Sequence, residues 1–367
     1  MGIKKMKKIC FCISDITLCG GTESVCLSLA NALCNHNYEV HILSISNQNK
    51  DTFFSCDQKI HLSKMLGKVE MKFFSKRPKY FTMKAFKYLF LHNIDVVIDV
   101  DIKMSNLTIA ATKRLKNVKH IAWDNFSYEC FMSVFHHQLA LPKIKAHADA
   151  MVVLTERDRQ LYMKEQNVPD GFIHQIYNPV SIKEDKPLSH SSFKVLSLGR
   201  FAHEKGFDLL LKAWAIVEKK IEGWTLDIWG DTGQDTGNVY STFNQLKLER
   251  AFLHPSTKNV DQLFREAAIY VLPSRSEGLG LVLIEAGSFG LPLVAFDCPN
   301  GPREIIKNGE NGFLVEPENV EQLAEKLLQL MNNESLRTRM GVNAYTNSKH
   351  FGVDAVLPQW IQLIENI

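Results

Sequence analysis

The chain has 367 residues, of which 45% are hydrophobic and 23% are charged, as is typical of a soluble globular protein with about two domains. Its net charge of +3 is unevenly spread, because the first 185 residues carry 25 Lys and Arg against 18 Asp and Glu, whereas the remainder carry 18 against 22; the basic half suits an anionic acceptor or a membrane surface. No run approaches the ~18 apolar residues of a membrane span, and the eight cysteines form no Cys-x-x-Cys pair and no cluster with zinc-like spacing, which predicts a reduced, cytosolic protein.

The first predicted elements alternate between strands and helices. KKICFCISDI is predicted to be a strand rather than a signal peptide, because Asp15 interrupts its apolar run. A Gly-Gly turn and the helix TESVCLSLANALCNHN follow, and further strands are predicted at EVHILSIS, IDVVIDV, KHIAW and DAMVVLT. This alternation indicates a doubly wound α/β domain over residues 1–180.

A polar segment then interrupts the pattern before it starts again. SIKEDKPLSHSS contains Pro187 and has no apolar period, so residues 181–191 are predicted to be a linker. Residues 192–350 contain the predicted strands FKVLSLGR, WTLDIWG, IYVLPS and LPLVAFD and the predicted helices GFDLLLKAWAIVEKK, VDQLFREA and LGLVLIEAGSFG. They are predicted to form a second α/β domain.

The last segment, residues 351–367, is predicted to be a helix with Leu357, Trp360, Ile361 and Ile364 on one stripe. The predicted fold class is therefore α/β, with two Rossmann-like parallel-sheet domains. In such folds ligands bind at the carboxyl ends of the strands, here in a cleft between the domains.

The densest chemical signal is SRSEGLGLVLIEAGSFGLP, residues 274–292. Glu277 lies in a predicted turn and Glu285 in a predicted helix, ~12 Å apart along a helical axis, which is about the reach from a sugar across a diphosphate to a ribose. A carboxylate accepts two hydroxyl hydrogen bonds and so suits a vicinal diol. Gly278 and Gly280 between them expose the backbone at a helix N-terminus, which favours phosphate. The alternative is a capping glutamate followed by a satisfied helical one.

A second signal is LGRFAHEKG, residues 198–206. Arg200 is predicted to end a strand and Lys205 to open a helix. Two cations at such a place can hold a diphosphate leaving group and replace a divalent metal electrostatically. A surface lysine is the alternative for Lys205, although its position after a strand favours a functional role.

A third signal is LCGGTES, residues 18–24, between the first strand and the first helix. Gly20 and Gly21 allow a ligand to approach the backbone, although a simple tight turn explains them equally well. The segment lacks the full G-x-G-x-x-G pattern, which argues against a dinucleotide-binding protein.

Taken together, the chain resembles the retaining glycosyltransferases of family 4, which have the GT-B fold. The matching segments are GGTE, YNPV, GR…EKG, the Glu-x7-Glu motif, and FDCPNGPREIIKNGENGFLVEP. The last of these is similar to bacterial envelope-glycan members of the family. The resemblance covers most of the chain and is most specific between residues 195 and 325, and it implies that the final helix crosses back to the N-terminal domain.

The resemblance also implies roles for single residues. Arg200 and Lys205 would hold the donor diphosphate, Glu277 would contact the transferred sugar, and Glu285 would contact the ribose. The first three of these are the expected catalytic residues. The full set of expected substrate-binding residues is Gly20, Gly21, Asn125, Arg200, Lys205, His254, Glu277, Gly278, Leu279, Gly280 and Glu285.

Two further expectations concern loops. Loop residues near His254 and Pro255 would frame the base, whereas the loop at Pro299, Asn300 and Gly301 need not touch the ligand.

One segment departs from the family. Related members often have Trp-Glu-His-Phe-Asn where this chain has WDNFSYE, residues 123–129, so that Asn125 stands in place of their histidine. An asparagine can donate and accept a hydrogen bond but cannot act as an acid or base at neutral pH. His120 lies nearby, although a histidine on a strand is more often structural.

The predicted function is retaining transfer of a hexose or N-acetylhexosamine from a nucleotide sugar, with UDP favoured over GDP, to a lipid-linked or polysaccharide acceptor in cell-surface glycan synthesis. No cofactor, metal or nucleic acid is expected. One alternative is a non-transferring relative, such as an epimerase or a binding protein, and a remote one is an NAD-dependent oxidoreductase. Another is a metal-dependent transferase that uses Asp99 and Asp101, which would leave the Glu-x7-Glu motif unexplained.

Residues 59–92 combine nine Lys and Arg with a single acid, Glu70, and with several aromatic residues. At helix-like spacing, this composition favours docking on anionic lipid. The alternative is a solvated basic helix whose aromatic residues pack on the core. The predicted location is accordingly cytoplasmic, with peripheral contact at the inner face of the membrane.

Overall fold

The structure is a computed structural model that describes residues 6–66, 78–230 and 235–367. It divides into two compact units, of which unit 1 comprises Met1–Pro179 and Val353–Ile367 and unit 2 comprises Val180–Gly352. Each unit is built on a parallel sheet with helices, which confirms the predicted α/β fold class.

Unit 1 contains a seven-stranded sheet in which every pairing of neighbouring strands is parallel. Its strands are β1 (Lys8–Ile13), β2 (Glu39–Ser44), β3 (His61–Lys64), β4 (Val96–Val100), β5 (Lys119–Trp123), β6 (Ala150–Val153) and β7 (Ile173–Gln175). Their order is β3-β2-β1-β4-β5-β6-β7, so the chain winds outwards in both directions from β1 and β4. In such sheets the ligand site lies where the order reverses.

The helices of unit 1 that come from the first part of the chain are α1 (Gly21–Asn35), α2 (Pro78–Leu91), α3 (Ser105–Thr112), α4 (Tyr128–Ser133), α5 (Phe135–His147) and α6 (Glu156–Gln166). In α1, Cys26, Leu29, Ala30 and Leu33 are buried, at the i, i+3, i+4, i+7 spacing of one helical face.

The basic segment at residues 59–92 differs from its prediction. Residues 61–64 form the edge strand β3 rather than part of a helix, and the helix α2 covers only Pro78–Leu91. Residues 67–77, which include Glu70, lie outside the described residues. The strand was missed because HLSK is short and mostly polar, as edge strands often are.

Unit 2 contains a six-stranded parallel sheet with the order β10-β9-β8-β11-β12-β13. Its strands are β8 (Lys194–Leu198), β9 (Thr225–Gly230), β10 (Ala251–Pro255), β11 (Ile269–Leu272), β12 (Leu293–Phe296) and β13 (Gly312–Val315). Its helices are α7 (Phe207–Val217), α8 (Val239–Leu246), α9 (Val260–Glu266), α10 (Leu281–Ser288), α11 (Pro302–Ile305), α12 (Val320–Met331) and α13 (Glu334–Ser348). Its core includes Trp214 on α7, Leu226 on β9 and Leu327 on α12, all buried.

The final helix, α14 (Val353–Asn366), belongs to unit 1. Its Trp360 packs edge-on against Trp123, with 4.8 Å between ring centroids. Lys7 Nζ also donates to the carbonyl of Ile364 over 2.8 Å. Within the described residues, no helix is both long and apolar enough to cross a membrane.

Candidate functional site

Two loops of unit 2 meet at the carboxyl ends of the adjacent strands β8 and β11. The loop after β8 has a left-handed backbone at Gly206 (φ +66°), where an added Cβ would lie 1.9 Å from the carbonyl oxygen of Pro273. Only glycine fits that contact. Arg275 fastens the loops further, because its backbone N–H donates to the carbonyl of Glu204 over 2.8 Å and its guanidinium donates to both carboxylate oxygens of Asp208.

The contact between the loops brings Lys205 and Glu277 together. Lys205 Nζ donates to Glu277 Oε1 over 2.7 Å, and Ser274 Oγ donates to the same oxygen over 2.6 Å. The side chain of Glu277 is 10% exposed and that of Lys205 is 22% exposed. Sequence reasoning selected both residues but missed Ser274, although its position three residues before Glu277 was a usable signal.

Arg200 is not brought to this pair. Its side chain is 71% exposed and forms an ion pair with Glu204 over 2.9 Å. An ion pair at the surface contributes at most about 1 kcal/mol, so little energy is needed to move the guanidinium. Lys205 ends a short 3-10 turn, and the α-helix begins only at Phe207.

The backbone before α10 is shaped by the loop at Pro299–Gly301. Asn300 Nδ2 donates to the carbonyl of Gly278 over 3.0 Å. A Cβ on Gly301, where φ is +87°, would lie 2.6 Å from the carbonyl oxygen of Leu279. Gly280 is the N-cap of α10, and no side chain caps that helix end, whose N–H groups therefore suit an anion.

Glu285 lies on α10, but the predicted ~12 Å of helix between the two glutamates is wrong. The helix begins only at Leu281, so about 6 Å of axis leads to Glu285, and the rest of the interval is irregular loop.

Burial raises the pKa of Glu285 to about 7, and the nearby charge of Lys183, itself paired with Asp261 over 2.6 Å, partly opposes this. Among the described residues, no donor is hydrogen-bonded to its carboxylate. The carboxylate of Glu285 can therefore accept hydrogen bonds from a ligand, but its ionised form is costly in free energy at this buried position.

His254 was predicted to lie in a loop and instead lies on the edge strand β10, as does Pro255. Its ring stacks on Trp229 at 4.2 Å, and its Nε2 atom lies 2.6 Å from Asp227 Oδ1. The segment AFLHP was missed because it is short and carries polar or breaking residues at its end. The stacked rings still present a flat surface of the kind on which a base can stack.

In unit 1, Gly20 and Gly21 lie at the N-terminus of α1. Glu23 folds back over this end: its pKa is raised by burial, although the backbone N–H groups of Glu23 and Gly20 oppose the rise. A Cβ on Gly20 would lie 2.4 Å from Glu23 Oε2, so the glycine leaves room for the side chain of Glu23 rather than for a ligand.

Asn125 follows β5 among buried polar groups. Both polar atoms of its side-chain amide are buried without a hydrogen-bond partner among the described residues. Burial raises the pKa of the adjacent Asp124 to about 7, against the hydrogen bond that Tyr162 donates over 2.7 Å. An amide with both functions unsatisfied is available to a ligand hydroxyl.

The two aspartates considered as metal ligands bind other side chains. Asp99 Oδ2 accepts from Ser105 over 2.6 Å and lies 2.7 Å from His120 Nε2, so His120 is a buried structural residue. Asp101 Oδ1 lies 3.1 Å from His137 Nε2. Burial acts to raise the pKa of Asp101, but its hydrogen bonds and charge interactions with His137 and Lys103 outweigh that effect, so the pKa is lowered. The buried pair of Asp101 and His137 was missed because the two lie far apart in sequence.

Comparison with known proteins shows the family to which the chain belongs. The family profile described as "Glycosyl transferases group 1" matches residues 181–347, and that described as "Glycosyltransferase Family 4" matches residues 19–184. An uncharacterized glycosyltransferase of Haemophilus influenzae is 34% identical over 97% of this chain and 99% of its own length. The amylovoran biosynthesis glycosyltransferase AmsD of Erwinia amylovora is 29% identical over 98% of this chain and 100% of its own.

Among solved structures, that of an S. aureus TarM variant with fondaparinux, alpha-GlcNAc-glycerol and UDP superimposes with a TM-score of 0.83. It shares 18% sequence identity and covers 98% of this chain and 100% of its own. Fold, site and relatives together define a glycosyltransferase with the GT-B fold. The chain belongs to glycosyltransferase family 4.

Proposed function

We propose that the protein transfers a hexose or N-acetylhexosamine from a UDP-sugar to a lipid-linked or polysaccharide acceptor, with retention of anomeric configuration and without a metal ion. The observation that carries the proposal is the meeting of Lys205 and Glu277 on two adjacent loops, with Glu285 on the helix that follows. These three residues would bind a sugar that is joined to a nucleoside by a diphosphate. Amylovoran biosynthesis in one relative and UDP in the TarM complex support the class of acceptor and the nucleotide.

In the proposed complex the donor lies across the two loops. The diphosphate interacts with Lys205 and with the backbone N–H groups at the start of α10. Glu277 is then released from its ion pair to accept hydrogen bonds from the sugar hydroxyls, and Glu285 accepts from the ribose diol. Arg200 turns from its exposed partner Glu204 to add a second positive charge.

In the proposed reaction, the bond between the anomeric carbon and the diphosphate oxygen breaks while the acceptor oxygen attacks from the same face. The acceptor proton passes to the leaving phosphate oxygen, so both oxygens end with complete valences. Arg200 and Lys205 stabilise the negative charge that develops on the diphosphate. Charge that two cations stabilise in this way needs no metal ion, and configuration at the anomeric carbon is retained.

By its resemblance to the family, Asn125 would stand where related members often have a histidine. Its unsatisfied amide supplies one donor and one acceptor to a sugar hydroxyl. In this proposal Asn125 binds a substrate hydroxyl and moves no proton. The non-transferring alternative differs in a measurable way, because it predicts hydrolysis or epimerisation of the donor without any dependence on acceptor.

The acceptor side is proposed to reach a membrane through α2. This helix has no acidic residue in its first turn, and it exposes Lys79 and Lys87 beside Met83 and Phe90, which are 50% and 60% exposed. Apolar side chains among lysines suit the surface of an anionic bilayer. The protein would then act at the cytoplasmic face as a peripheral protein.

The donor proposal is tested by measuring release of the nucleoside diphosphate from UDP- and GDP-sugars, with and without EDTA and with envelope glycan fractions as acceptor. We expect activity with a UDP-sugar that EDTA leaves unchanged, and a product of the same anomeric configuration as the donor. Lys205→Ala should lower kcat/KM about 100-fold or more, whereas the exposed control Lys220→Ala should not. Activity that returns only with a divalent ion would contradict the proposal.

The membrane proposal is tested by sedimentation with vesicles of phosphatidylglycerol or of phosphatidylcholine. Phe90→Ser should weaken binding to the anionic vesicles, whereas Phe193→Ser, which removes an aromatic residue that is 57% exposed in unit 2, should not. Equal binding by both variants would remove α2 from the interface.

A further inference from the structure

A second cluster of polar side chains lies at the amino ends of β2 and β3, where the proposed transfer reaction uses no residue. Glu39 and His41 are two residues apart on β2 and so project from the same face of the sheet. In the parallel pairing of the two strands, His41 is the register partner of His61. The strand pairing thereby places three side chains with metal-binding atoms side by side, although His61 lies on a different strand from the other two.

The atoms of this cluster are close enough to share one ion. One candidate ligand atom from each of Glu39, His41 and His61 lies within 4.8 Å of the others, and no other group of three or more such residues is found among the described residues. His41 Nε2 lies 3.0 Å from Glu39 Oε1, and the rings of His41 and His61 stack at 4.6 Å. Two imidazoles and a carboxylate form a ligand set that Zn²⁺ uses in proteins.

The surroundings of His41 suit a metal ligand. Its Nδ1 atom lies 3.0 Å from the hydroxyl of Tyr88 on α2, which leaves Nε2 directed towards Glu39. Metal-binding histidines commonly bond a protein group through the other ring nitrogen.

Two further features favour a cation at this place. The carboxyl end of α2 lies here, since His92, whose N–H donates to the carbonyl of Tyr88, follows its last residue; helix carboxyl ends are electronegative. The ring centroid of His92 lies 5.1 Å from that of His41, which adds another imidazole to the surroundings of the three candidate ligands.

We propose that Glu39, His41 and His61 bind a Zn²⁺ ion that fastens the edge strand β3 to β2. The site lies at the amino ends of the strands, whereas ligands of doubly wound sheets bind at the carboxyl ends. The ion is therefore structural, and sugar transfer does not need it.

Lys8 provides an internal competitor. Its Nζ atom lies 2.9 Å from the same Glu39 Oε1 atom that faces His41. An ion must compete with this ammonium for the carboxylate, because like charges repel. Lys8→Gln should consequently strengthen Zn²⁺ binding, which is the opposite of what loss of a ligand would do.

The test is calorimetric titration of EDTA-stripped protein with Zn²⁺ alone. We expect one site per chain, a rise in Tm on binding, and affinity at least about tenfold weaker in His61→Ala and Glu39→Gln. His61 is exposed, so its replacement should leave the fold intact. The control His350→Ala removes an exposed histidine of unit 2 and should not change the affinity.

Titration with Co²⁺ distinguishes metal binding at this site from metal binding to cysteine, because the absorption spectrum of Co²⁺ shows a thiolate charge-transfer band only when sulfur is bound. We expect a tetrahedral spectrum without that band. The proposal is overturned by a thiolate band, by equal affinity in His61→Ala and His350→Ala, or by weaker binding in Lys8→Gln. In the wild type, EDTA should lower Tm without lowering the initial rate of sugar transfer, which separates this site from the proposed reaction.

Discussion

Glu285→Gln tests the ribose site through stability as well as binding. Burial raises the carboxyl pKa from 4.5 to about 7, and at ~1.4 kcal/mol per pKa unit this corresponds to about 3 kcal/mol. In the unfolded chain the group ionises freely above pH 4.5, whereas in the folded protein ionisation is opposed until about pH 7. Rising pH therefore removes stability across this window, and above it the wild type has lost the full amount.

Glutamine keeps the shape of the side chain but cannot ionise. The variant should match the wild type near pH 4.5 and have a larger free energy of unfolding by up to about 3 kcal/mol at pH 8. Its affinity for UDP should fall about 10- to 100-fold, because hydrogen bonds to a charged acceptor contribute ~1.5–3 kcal/mol. A site that destabilises the fold but strengthens ligand binding is typical of a functional residue.

The assays are urea unfolding between pH 4.5 and 8, with intrinsic fluorescence as the probe, and calorimetric titration with UDP. Glu310→Gln, which replaces an exposed glutamate in the same unit, is the matched control and should follow the wild type in both. Glu285 is not the proposed ribose ligand if Glu285→Gln has the wild-type pH profile of stability, or if it binds UDP as tightly as the wild type.

Three further predictions concern the loops and the edge strand of unit 2. Lys205→Met should lower UDP affinity while Lys220→Met leaves it unchanged, as measured by calorimetry; equal affinities would separate Lys205 from the diphosphate. Gly206→Ala should destabilise the protein by about 1–3 kcal/mol, because its backbone is left-handed and its Cβ would lie 1.9 Å from Pro273 O; an unchanged urea midpoint would contradict this. His254→Ala should weaken the binding of UDP more than the binding of diphosphate that carries no uridine, since it removes a stacking surface for the base. An equal loss of affinity for both ligands would place the base elsewhere.

Much of the fold could be predicted because buried parallel strands have a simple pattern. KICFCI, VVIDV and IYVL are runs of apolar residues, and each is a strand with both faces covered. The edge strands β3 and β10 were missed because they lack this pattern. One side of an edge strand meets solvent, so its sequence need not be a continuous apolar run.

The candidate site was predictable as a set of residues but not as a set of contacts. Lys205 and Glu277 were selected separately, and their 2.7 Å ion pair depends on the pairing of β8 with β11, which no local pattern specifies. The same holds for Asp101 and His137, and for His41 and His61, which long-range strand pairing or packing brings together. Sequence patterns identify chemistry within one segment, whereas sheet order decides which segments meet.

We propose that the nucleotide sugar binds to unit 2 through the loops after β8 and β11. Amide hydrogen exchange with and without saturating UDP tests this claim most directly. We expect protection of residues 199–206 and 274–285, with little change in the Gly-Gly segment at 18–24. Protection confined to residues 18–24, or no protection in either loop of unit 2, would contradict it.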